Sequence, residues 1–172
     1  VDNSKRKKSG EHGYDALFNI RAVLDLLMKG ILLAWVYGEF CTIGESTIKY
    51  MGRAVSYVQY MKAKPIKHGI KVFAVCCAKS AVLLYFIVYV GNESTKDNTA
   101  LAICDQLIVG AGLTLQRGRT LFTNNYYTSI KLANHLFEKY RWSLMGTIKS
   151  TDKKSRADED FPFLKLSNGA RD

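Results

Sequence analysis

Residues 70–91, "IKVFAVCCAKSAVLLYFIVYVG", place the tightest limit on what this chain can fold into. The run from residue 74 onward is nearly long enough to cross a bilayer as a helix. Lys79 and Ser80 stand close to its middle, however, and its residues are weighted toward Val, Ile, Tyr and Phe. Two buried strands over residues 70–77 and 82–90, joined by a tight turn at Ala78-Lys79-Ser80, fit that composition better than a span. The turn holds no Gly, Asn or Asp, so its chemistry is not that of a standard two-residue hairpin. A sheet core follows, and no membrane segment is expected.

The 172 residues suffice for one domain with a proper core, or one domain with an appendage. An apolar share of 48% argues for a folded globule, and a formal charge of +10 argues for an anionic partner. Nucleic acid is the first such partner and a membrane surface the second. Cys41, Cys76, Cys77 and Cys104 form no CxxC pair and have no histidine at zinc-finger spacing. They read as reduced and mostly buried, which suits an intracellular compartment. On a strand, Cys76 and Cys77 point to opposite faces. The opening "VDNSKRKKSG" is basic with no apolar stretch behind it, so no secretory signal is expected. A start at Val1 suggests a fragment or a processed product.

Along the chain, residues 1–13 form a basic tail, read as a nuclear import signal or phosphate-binding arm against the plain alternative of a solvated terminus. Leu17, Ile20, Leu24, Leu27 and Ile31 recur at helical spacing and predict an amphipathic helix over residues 14–36 with one buried stripe. "CTIGESTI" alternates like a strand, interrupted at Gly44. A mixed aromatic and basic connection follows, turning at Pro65 and Gly69. After the two buried strands, Asp97 or Asn98 is the expected cap of a helix whose apolar side is Ala100, Ile103, Cys104, Leu107 and Ile108. "GAGLTLQRGR" lacks the residues of a phosphate-binding loop and reads as a plain connection. Residues 120–123 predict a strand. Thr128 or Ser129 then caps a helix lined by Ile130, Ala133, Leu136, Phe137 and Tyr140, and residues 143–148 predict a last strand. Residues 151–172 open with a solvated charge run and are expected to be mobile. Strands mixed with crossover helices give an α/β sheet with helices on its faces.

Five segments, "TIGESTIKYMGR", "YMKAKPIKHGIKVFAVC", "VYVG", "LFTNNYYTSIKLANHL" and "SLMGTIKS", together resemble the transposase domain of the piggyBac family over residues 14–150. The strings "KPIKHGIKVF", "NNYYTS" and "GTIK", in that order and spacing, carry most of the likeness. The resemblance implies a DDE-type nuclease with an RNase H-like core: a mixed sheet of about five strands flanked by helices, incomplete at its C-terminal end. It also implies two divalent metal ions, such as magnesium, held by aspartates. Two such metals clamp the attacking and leaving oxygens of a phosphodiester from about 3.5–4 Å apart.

The family's first aspartate belongs to an I-D-E segment that here reads Ile43-Gly44-Glu45. Its second opens a D-N-aromatic-aromatic-T-S segment that here begins at Asn124. Both acid positions covered by the chain are therefore expected to be degenerate, with no metal held. Glu45 is a poor substitute, because consecutive strand residues face opposite sides of a sheet. Asn124 keeps a carbonyl oxygen but no charge. The remaining candidates are basic. Lys62, Lys64, Lys67, His68 and Lys71 cluster around Pro65, while Arg117, Arg119 and Lys149 are expected to adjoin the altered site. Phosphate contact needs only positive charge and reach, and the plain alternative is a solvated lysine-rich loop. Of Tyr126 and Tyr127, one is expected to pack beneath the following helix and either offers a ring for base stacking.

The reading is thus a catalytically inactive, transposase-derived domain, a remnant or a domesticated copy, that retains backbone contacts to DNA in the nucleus. Two alternatives stand beside it: a metal-dependent nuclease with an altered site, and a protein-interaction scaffold on the same fold.

Overall fold

The computed structural model describes residues 4, 6–34, 38–52, 55–62, 64–91 and 99–148. The elements run α1 (Phe18–Ala34), β1 (Phe40–Lys49), β2 (Val58–Tyr60), β3 (His68–Cys77), β4 (Leu83–Val88), α2 (Ala100–Gly110), β5 (Thr120–Thr123), α3 (Ile130–Tyr140) and β6 (Ser143–Gly146). Six strands form one sheet in the order β2-β3-β1-β5-β6, with β4 also paired to β3. β3 runs antiparallel to its neighbours β1 and β4, whereas β1, β5 and β6 run parallel. Parallel pairs need a crossover, and α3 supplies the one between β5 and β6.

The apolar run over residues 70–91 is the β3–β4 hairpin. Its turn closes through Ala81, whose φ of 58° places a non-glycine residue in the left-handed region. The Ala81 N–H donates to the Cys77 carbonyl at 2.8 Å, and the Cys77 N–H donates to the Val82 carbonyl at 2.9 Å. A four-residue turn explains why no two-residue turn signal was present. β1 is continuous through Gly44, and β2 is a sixth strand set in what read as a mixed aromatic and basic connection.

The core gathers Cys41, Ile43, Phe73, Val75, Leu84 and Leu121 from the sheet. Ile103, Leu107 and Ile108 of α2 and Leu132, Leu136 and Tyr140 of α3 close over them. Leu132 belongs to this layer, while Phe137, expected there, is 59% exposed. Thr99 caps α2, its side chain accepting the Ala102 N–H at 3.2 Å; Asp97 and Asn98 lie outside the described residues. Ser129, one of the two expected caps, accepts the Leu132 N–H at 3.2 Å.

The expected stripe of α1 is not buried. Leu17 is buried just ahead of the helix, but α1 itself has no buried residue, and Ile20 and Leu27 are 40% and 49% exposed. α1 packs chiefly on β4, and a single strand is too narrow to cover a helical stripe.

Two glycines in neighbouring strands differ in what they permit. A Cβ at Gly69 would collide with the Ile48 carbonyl, whereas one at Gly44 meets nothing within 4 Å. Gly69→Ala is therefore expected to cost about 1–3 kcal/mol. Gly44→Ala, removing a glycine from a strand interior, should be neutral or stabilise by about 0.5 kcal/mol. Urea titration of both variants distinguishes them.

Candidate functional site

The segment after β5 is built from its own polar side chains. The Asn124 Oδ1 accepts the Tyr126 N–H at 2.9 Å, a side-chain turn of the kind Asn favours. The Asn124 carbonyl accepts the Tyr127 and Thr128 N–H groups and, at 2.8 Å, the Thr128 hydroxyl. Tyr127 is fully buried and Tyr126 is 52% exposed, their rings edge-on at 4.9 Å. One ring thus packs inward and the other faces solvent. Gly146 sits against this turn, since a Cβ there would strike the Thr128 Oγ1 and approach the Thr123 carbonyl at 2.7 Å. The "NNYYTS" and "GTIK" segments are joined at this contact.

β1 and β5 pair in parallel from Phe40 with Thr120 to Ile43 with Thr123. Carried one residue past that last pair, the register brings Gly44 level with Asn124, the residue that follows β5. Cys41 and Ile43 face the core, so Gly44 opens on the opposite face of the sheet. What stands there is a backbone without a side chain next to a neutral amide.

Glu45 follows the parity expected of it and lies on the core side. Its carboxylate is held by Lys71 Nζ at 2.8 Å and Lys64 Nζ at 3.2 Å. Burial disfavours the charged carboxylate, but the hydrogen bonds and charges of Lys71 and Lys64 outweigh it and hold Glu45 below the usual carboxylate range. Lys71 also lies 4.8 Å from the Phe73 ring centroid, 6.0 Å from that of Tyr89 and 5.9 Å from that of Tyr126. This ring-lined ammonium is already paired, as cation–π geometry and charge both favour.

The basic candidates thus divide. Lys62 and Lys67 are exposed at the two ends of the turn closed by the Met61 N–H donating to the Lys67 carbonyl at 2.7 Å. His68 is exposed beside Tyr60, with ring centroids 4.8 Å apart. Lys64 and Lys71 are engaged with Glu45. Arg117 and Arg119 do not adjoin Asn124: they precede β5, whose four residues put about 10 Å between its ends. Arg119 is moreover buried, with Nη1 3.8 Å from the Cys41 Sγ and its guanidinium 6.0 Å from the Trp142 ring. It packs the edge of the core instead of presenting charge to a phosphate. Lys149 lies outside the described residues.

A second polar cluster escaped the sequence reading. Asp105 of α2 accepts from the Tyr140 hydroxyl at 2.6 Å and from Lys139 Nζ at 2.9 Å and 2.8 Å, and its Oδ1 lies 2.8 Å from the His135 Nε2. His135 and Lys139 share one face of α3 by their i, i+4 spacing, which is visible in sequence; the acid that joins them to Tyr140 comes from another helix, which is not. The cluster ties α2 to α3. Burial raises the Asp105 pKa, but the bonds from His135, Lys139 and Tyr140 prevail and lower it. Among the described residues, no group of three or more His, Cys, Asp or Glu is arranged to hold a metal ion, and no helix is long and apolar enough to cross a membrane.

A family profile described as Transposase IS4 matches residues 1–162. Among solved structures, the chain is similar to the piggyBac transposase synaptic complex with hairpin DNA, with a TM-score of 0.76 and 23% identity. That likeness covers 92% of this chain and 32% of the other, so the chain spans about a third of that protein's length. The piggyBac resemblance and the RNase H-like sheet hold on these findings. The Mos1 strand transfer complex gives a TM-score of 0.41 at 13% identity, covering 84% of this chain and 46% of that one. No curated protein sequence matches.

Two outcomes follow from the geometry. Asp105→Asn should lower thermal stability at pH 7. Because the folded-state pKa is depressed, the wild-type advantage is fully present above the unfolded carboxylate pKa of about 3.9 and is lost as pH falls from there through the lower folded-state pKa; melts from pH 7 down into acid test this. Glu45→Gln releases Lys64 and Lys71 from their counter-charge, so it should tighten nonspecific duplex binding and steepen its log–log salt dependence by up to about one to two.

Proposed function

Because the chain belongs to the Transposase IS4 family, we propose that it is a catalytically inactive piggyBac-type transposase domain, remnant or domesticated, that keeps nonspecific contact with DNA. The observation that carries this reading is the register of the parallel β1–β5 pair, whose last partners are Ile43 and Thr123 and which, one residue further, brings Gly44 level with Asn124. In the piggyBac pattern these are the positions of two metal-binding aspartates. Two divalent ions brought close together need negative charge between them. Gly44 has no donor, Asn124 is neutral with its Oδ1 turned to the Tyr126 N–H, and Glu45 is on the other face between two lysines. This donor set does not fit a two-metal site.

The DNA part of the reading rests on charge and kinship. The piggyBac structure is, by its name, a complex with hairpin DNA, and this chain carries a formal charge of +10. Exposed Lys62 and Lys67, with the exposed Arg117 at the far end of β5, are the candidates for backbone contact. Such contacts bind without reading sequence. A nuclear location agrees with the basic run at residues 4–8 and with a DNA partner.

Incubating the chain with labelled duplex in magnesium or manganese is expected to yield no nicking, alongside binding that weakens as salt rises with a slope of about −2 to −4. Metal-dependent nicking that Glu45→Gln removes would favour the altered-nuclease reading instead. Undetectable binding at low ionic strength would leave the protein-interaction scaffold. Restoring both acids is the constructive test: Gly44 has room for a Cβ, so the Gly44→Asp/Asn124→Asp variant should fold and gain saturable manganese binding that neither single variant matches.

A further inference from the structure

We propose that Cys41 and Cys77 form a peroxide-sensitive dithiol site, in which Cys77 is oxidised first and Cys41 resolves it into a cross-strand disulfide. Neither thiol takes part in the DNA reading, and the inference stands independently of it.

The argument begins with register. Cys41 of β1 is paired directly with Cys77 of β3 in an antiparallel ladder. The Ala78 N–H donates to the Phe40 carbonyl at 2.9 Å, and the Tyr50 N–H donates to the His68 carbonyl at 3.5 Å. Those bonds make Phe40 with Ala78, and every second pair after it, the hydrogen-bonded ones. Cys41 with Cys77 is then a non-hydrogen-bonded pair, the kind whose Cα atoms lie about 4.5 Å apart with side chains closest. A disulfide accepts Cα separations from about 4.4 to 6.8 Å. Both thiols lie on the core face of the sheet. Cys76 is on the opposite face, paired with Thr42, and Cys104 belongs to α2.

The two thiols are not equivalent, which gives the chemistry a direction. Cys77 lies under the exposed turn of residues 78–80 at the end of the hairpin. Hydrogen bonds from the Ser80 hydroxyl and from the backbone of Ser80, Lys79 and Gly38 favour its thiolate and lower its pKa. Burial raises the Cys41 pKa, opposed by Arg119, and keeps that sulfur protonated. Cys77 is therefore the nucleophile. Its thiolate attacks hydrogen peroxide, the O–O bond breaks, hydroxide leaves, and the sulfur becomes a sulfenic acid. The Cys41 sulfur then displaces the sulfenic oxygen, forming the S–S bond, and its proton leaves with that oxygen as water. One peroxide is reduced for each pair of thiols oxidised.

The test uses the full chain, reduced and then exposed to graded hydrogen peroxide, alkylated in denaturant and digested for mass spectrometry. A linked pair of peptides carrying Cys41 and Cys77 is expected, at least tenfold above any link to Cys104. Cys76→Ser leaves the link intact and makes its assignment unique. In Cys41→Ser, a dimedone-trapped sulfenic acid accumulates on Cys77. Ser80→Ala keeps both thiols and the strand pairing, so it reads the site even if a cysteine variant folds poorly; it should slow oxidation several-fold. Oxidation that settles first on Cys76, a Cys41–Cys77 link no more abundant than the others, or a rate unchanged in Ser80→Ala would each overturn the proposal.

Discussion

The parallel pairing of β1 with β5 is the constraint on which the rest of the molecule depends. It brings together two strands separated by some eighty residues of sequence, and it does so with a crossover through the hairpin and α2. The same pairing fixes the faces. Once Ile43 and Thr123 are opposite each other, the same register carries Gly44, midway along β1, level with Asn124, just past the carboxyl end of β5 and away from the α2–α3 layer. In open α/β sheets that end is where ligands are met. At that position the chain carries a glycine and a neutral amide.

The absence of charge at Gly44 is not a demand of the fold. The position has open space for a side chain and no left-handed backbone, in contrast to Gly69 and Gly146, whose neighbours approach too closely for a Cβ. Neither backbone strain nor crowding therefore requires a glycine there. Glu45 shows the complementary point. One residue along a strand is enough to move a carboxylate to the other face, where Lys64 and Lys71 neutralise it. Local positive charge therefore survives beside the site, much of it internally compensated.

Much of this was legible in sequence because it is local. Strand alternation placed Glu45 on the wrong face for Gly44, the apolar run over residues 74–90 announced the hairpin, and Ser129 announced a helix start. What the sequence hid depends on partners distant along the chain. Arg119 looks like any arginine in a glycine-rich loop until Cys41 and Trp142 close over it. Asp105 has no local sign that His135, Lys139 and Tyr140 will converge on it. The pairing of Cys41 with Cys77 is set by register, which no periodicity reveals. The stripe of α1 was periodic as predicted but faces a surface too narrow to bury it.

The central claim is that the β1–β5 junction cannot gather divalent cations. Paramagnetic broadening reads this residue by residue: manganese is titrated into the isotopically labelled chain while the amide signals of Gly44, Asn124 and their neighbours are followed. The account predicts that these signals lose intensity no faster than those of exposed loops at the same concentration. Selective, saturable broadening centred on Gly44 and Asn124 at micromolar manganese would contradict it.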